Sequence, residues 1–156
     1  MKEDFDIKKD YDKLKKKYNL PDFEELNKEF ELELIEKKEF LLKTIRRRVN
    51  DKAIFFCKIL ESVLYNNGQN QIGVYESGFF DDIKKAEMSN IHKKLMVYER
   101  QSLLLDIEGS EIMDVEYINE VYGEWKEIRG EMKKVVLVME SAWKKETLEE
   151  EEKYFG

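Results

Sequence analysis

"IRRRVNDKAIFFCKIL", residues 45–60, decides how this chain is read. Asn50 and Asp51 are good capping residues, so a new helix starting there would be chemically easy. The apolar register runs straight through them instead. Ile35, Leu42, Val49, Phe56 and Val63 recur every seven residues, with Ile45 and Ile59 at the interleaved positions. An unbroken phase of this kind is the pattern of one continuous helix. Upstream, "NLPDFEEL" supplies a start signal. Asp22 stands in the cap position, and Glu25 follows three residues later as in a capping box. The reading is one very long helix over about 22–66, roughly 65 Å at 1.5 Å per residue. A break near Asn50 is the alternative.

The rest of the chain reads as helix too. Residues 4–18 carry Ile7, Tyr11, Leu14 and Tyr18 at helical spacing among many lysines, a short amphipathic N-terminal helix. A helical hairpin is expected over about 81–108 and 112–146. In its first arm Met88, Ile91, Leu95, Tyr98, Ser102 and Leu105 alternate in steps of three and four, up to a natural stop at Gly109. In its second arm Ile118, Trp125, Met132 and Met139 recur every seven residues, with Val121, Ile128, Val135 and Ala142 between. Such a short link makes the two arms antiparallel. Residues 66–80 read as an irregular loop with a polar first half and an aromatic end, and 147–156 as an acidic tail that frays. The expectation is all-α: a single helical domain over 1–156, an antiparallel bundle with one very long helix.

Composition narrows the function classes. The chain has 156 residues, a formal net charge of -7 and 40% charged residues. This acidic balance opposes a whole-surface nucleic-acid binder. Cys57 is the single cysteine, so no intramolecular disulfide can form, and a reduced, cytoplasmic setting fits. No apolar run reaches the roughly 18 residues a membrane span needs.

Chemistry-bearing constellations are sparse. Glu116, Glu120, Glu124, Glu127 and Glu131 form one acidic ridge, and Glu25, Glu29, Glu33 and Glu36 another. Inward-facing carboxylates from different helices are how helical bundles hold metal, which makes Glu116, Glu120 and Glu124 weak metal candidates and a metal-dependent hydrolase one alternative. The Glu-x-x-His pairs of di-iron bundles are missing, since His92 is the single histidine. Glu36 and Glu39 resemble half of the acidic motif of the all-helical nucleotide pyrophosphatases, without its Glu-x-x-Asp counterpart. His92 reads as a surface or boundary residue, and Cys57 as a small buried hydrophobe.

Arg46, Arg47 and Arg48, with Lys52 one turn on, form the densest positive spot, a candidate anion or RNA contact. Tyr75, Phe79 and Phe80, at the aromatic end of the loop, are candidate partner contacts. No catalytic constellation is assembled and no cofactor is implied. The expectation is a non-enzymatic helical interaction or scaffold protein, homodimeric or paired with another helical protein. An RNA- or nucleotide-associated protein using Arg46–Arg48 and the Lys-rich N-terminus is the alternative. The dimer follows from the long helix, whose apolar stripe the hairpin is too short to cover.

Overall fold

The register of 45–60 does form a single helix, and burial is what holds it. In the computed structural model, which describes residues 4–155, α3 (Leu41–Leu64) carries Leu42, Ile45, Val49, Ala53, Phe56, Leu60 and Val63 on one buried face. Asn50 and Asp51 sit inside it without interrupting it. Burying one such aliphatic side chain contributes about 1.5–3 kcal/mol, more than either capping residue gains by starting a new helix.

The helix does not extend back to residue 22. The segment expected to be continuous is broken at 31–40. α2 (Phe23–Phe30) ends at Glu31, whose backbone is left-handed (φ 54°) and whose N–H bonds to Asn27 O at 2.8 Å. That is an αL helix stop. A 3₁₀ turn follows at Leu32–Leu34, anchored by the Glu33 N–H donating to Asn27 Oδ1 at 2.9 Å. Phe40 is again left-handed (φ 53°) just before α3 begins. Leu32 and Ile35 are both buried from this turn, so the seven-residue phase from Ile35 to Leu42 is kept by a connection, not by a helix. "EKKE", 36–39, offers no apolar residue that would reward helical continuation. Asp22 caps nothing with its side chain, which instead pairs with Lys15.

The other elements are α1 (Ile7–Lys17), α4 (Gln71–Ser77), α5 (Asp82–Ile107) and α6 (Glu111–Phe155), so the described chain is all-helical. The hairpin link is three residues, 108–110, and α6 continues as helix to 155 through the acidic tail. No helix among the described residues is long and apolar enough to cross a membrane.

The chain divides into two compact units, 1–55 with 95–125 and 56–94 with 126–156. In the first, α1 is stapled by Tyr11, fully buried against the Phe23 ring at 5.5 Å, its hydroxyl donating to Pro21 O at 2.5 Å. Two of the α2 carboxylates, Glu25 and Glu29, face α6. Tyr122 donates to Glu25 at 2.5 Å, and the Trp125 indole donates to Glu29 at 3.1 Å while its ring packs on Phe30. The Glu25 hydrogen bond, with burial second, pushes the Tyr122 phenol up to about 12.

In the second unit the segment expected to be an irregular loop contains α4. Asn70 Oδ1 accepts from the Ile72 and Gly73 N–H groups and starts it. Tyr75 holds it down, donating to Ala142 O at 2.8 Å and packing on Trp143 at 4.6 Å, while Trp143 donates to Glu76 at 3.1 Å. Gly73 is where α4 meets α3, and a Cβ there would lie 2.4 Å from Ser62 O. Gly73→Ala is therefore expected to cost about 1–3 kcal/mol by overpacking against backbone. Urea unfolding checks this, and an unchanged midpoint would show that α4 lifts off freely.

Candidate functional site

The three arginines singled out in the sequence meet three different fates, all in the first unit. Arg46 is fully buried. Its Nε donates to Asp114 at 2.6 Å, one terminal nitrogen to Ser102 O and Oγ at 2.8 and 2.5 Å, and the other to Asp106 at 2.5 Å. Asp106 also accepts from the exposed Arg47 at 3.1 Å. These hydrogen bonds, that from Arg46 foremost, hold the Asp106 carboxyl below its usual range. Arg48 donates to Phe30 O at 3.0 Å and pairs with Glu31 at 3.6 Å, closing the turn that ends α2. None of the three presents an unpaired guanidinium. Lys52 is half-buried and forms no ion pair among the described residues.

Arg46 meets Ser102 and Asp106 on one face of α5. A different face is open. Leu103, Leu104 and Leu105 are consecutive, so they span about 200° of the helix and cannot all turn to the core. Leu103 and Leu104 are exposed, the latter at 64%. Between α5 and α6 runs a groove of about 260 Å³ lined by Gln101, Leu104, Leu105, Met113 and Tyr117, with Glu116 and Glu120 along its α6 side. Neither glutamate forms an ion pair or hydrogen bond among the described residues, and the Gln101 side-chain oxygen is buried without a hydrogen-bond partner. At the hairpin end a second cleft, of about 370 Å³, is flanked by Phe40 and Ile107, which are 81% and 82% exposed. Asp106, Glu108, Glu111 and Lys43 add polar groups to it.

In comparison with known proteins, no family model, no curated protein and no solved structure matches this chain.

The remaining sequence candidates lie elsewhere. Tyr75 and Phe79 are brought together at 5.2 Å in the second unit, and Phe80 is buried there. Glu124 accepts the Tyr98 hydroxyl, while Glu116 and Glu120 line the groove. No cluster of three His, Cys, Asp or Glu able to hold a metal occurs among the described residues. His92 is buried, 2.9 Å from Glu61 and edge-on to Tyr65, and Cys57 is buried. Sequence reasoning missed Phe40, Leu104 and Ile107. The leucine triplet was the available signal for Leu104, because a helix cannot bury three consecutive apolar residues on one face.

Two outcomes are expected of the Arg46 cluster. Arg46→Ala costs about 3–5 kcal/mol, because it leaves Asp114 buried without a counter-charge. Arg46→Lys restores little, since one ammonium cannot reach three partners as a guanidinium does. Denaturant midpoints read both, and a loss under about 1 kcal/mol for Arg46→Ala would sink the assignment. The second outcome concerns pH. With its folded pKa depressed, Asp106 contributes stability that is complete above its unfolded value of about 4 and disappears as pH falls through the folded value. The stability gap between the natural chain and Asp106→Asn should therefore close on acidification below about pH 4. A gap that ignores pH would contradict the ion-pair role.

Proposed function

We propose that the chain is a non-enzymatic interaction protein that acts through exposed helix faces, and that the hairpin end of its first unit is the contact surface. One observation carries this reading: Phe40 and Ile107 stand more than four-fifths exposed at the same cleft. Exposed apolar clusters mark association surfaces. Phe40 adds to this because a bulky residue at positive φ is strained, and such strain gathers where function requires it.

A homodimer is called for where a helix from 22 to 66 leaves its apolar stripe uncovered. That stripe is buried within the chain, from Leu42 to Val63, so a second copy is no longer needed to cover it. The RNA or nucleotide reading is weakened because Arg46, Arg47 and Arg48 are already matched by acids or carbonyls.

Phe40→Gly and Ile107→Gln test the reading. Glycine relieves the left-handed strain and should raise stability by about 1 kcal/mol, and glutamine at an exposed helix position should change it by less than about 0.5 kcal/mol. Both should weaken binding of an environment-sensitive apolar dye. If either variant unfolds several degrees earlier, the surface is structural and the reading fails.

A further inference from the structure

We infer that the α5–α6 groove of the first unit is a docking site for a basic amphipathic helix of another protein, an inference that rests on the interaction reading above and names the chemistry of its partner. A furrow between two antiparallel helices accepts a third helix by the same ridge-into-groove packing that joins the first two. Its lining is mostly apolar, from Leu104, Leu105, Met113 and Tyr117. Val97 lies two turns before Leu104 on the same side of α5 and is also exposed, with Arg100 and Gln101 between the two.

Charge identifies the occupant. Glu116 and Glu120 stand one turn apart, about 6 Å along the axis, exposed and without a cationic partner. Lysines or arginines one turn apart beside an apolar stripe would match them, as oppositely charged edge positions match in coiled coils.

The occupant is not a second copy. The most basic helices of this chain, α1 and α3, are already committed, with Tyr11 of α1 fully buried against Phe23 and the α3 face from Leu42 to Val63 buried. Face-to-face pairing of two copies would oppose two acidic rims in a chain of net charge -7.

The test uses the full chain and three labelled peptides of about 18 residues, long enough to form a helix on binding. One has a leucine stripe flanked by lysines, one has glutamates for the lysines, and one has the lysine composition with the stripe scrambled. Fluorescence anisotropy should show the first peptide binding, more weakly as salt rises. Glu116→Lys with Glu120→Lys should weaken it by about fivefold or more, at the scale of two exposed ion pairs. Leu104→Gln should weaken it too, and the acidic and scrambled peptides should bind poorly. Equal binding of the acidic peptide, or none of the basic one, overturns the inference. So does light scattering that shows a dimer which Leu104→Gln turns into a monomer, because the groove would then belong to a second copy. If the peptides fail while Ile107→Gln and Phe40→Gly keep the stability and dye behaviour expected above, only this inference falls. If those variants also lose stability, the interaction reading falls with it.

Discussion

A guanidinium with no access to water must be met on every side, and Arg46 is met by groups from two other helices. Asp106 and Ser102 come from α5 and Asp114 from α6, 56 to 68 residues away in sequence. Unpaired, the charge would cost several kcal/mol. Satisfied, it requires α3, α5 and the start of α6 to hold one mutual arrangement in the first unit. The three-residue link at 108–110 lies between Asp106 and Asp114, so the same cluster ties the hairpin turn to α3. The groove between α5 and α6 and the cleft beside Phe40 are both built on residues adjoining this cluster.

The cluster also changes what the triple arginine means. Three successive arginines suggest a positive patch, yet they point in different directions around the helix. One is internal, one shares its partner's aspartate and one closes a turn. The positive charge is spent on folding. Along the groove, Glu116 and Glu120 have no cationic partner among the described residues, and Leu104 and Ile107 are exposed.

Much of the helical content was legible because it is local. The alternation in the first hairpin arm marked Met88, Leu95, Tyr98 and Ser102, and these are buried. Gly109 stands just past the end of α5, where a Cβ would lie 2.5 Å from Leu105 O. The Asn-rich stretch before Gly73 read as loop, and Asn70 proves to cap a helix there, because a short helix of few apolar residues leaves little periodicity to detect. The α2 ridge was legible as a row of carboxylates, but not as acceptors for Tyr122 and Trp125, since donor and acceptor lie 96 and 97 residues apart.

By itself the sequence determined that the chain is helical and which residues share the apolar face of each long helix, and its unbroken register favoured passage through Asn50. These follow from side-chain spacing over a few turns, which backbone geometry converts directly into faces. Tertiary structure alone decided that the long helix stops at Glu31 and restarts after Phe40. There, burial of Leu32 and Ile35 from a turn preserves a seven-residue phase that no helix carries. It alone decided that Arg46 is internal and that Leu104 and Ile107 are left outside. Periodicity records which residues share a face. It does not record which distant face, or which distant charge, comes to meet them.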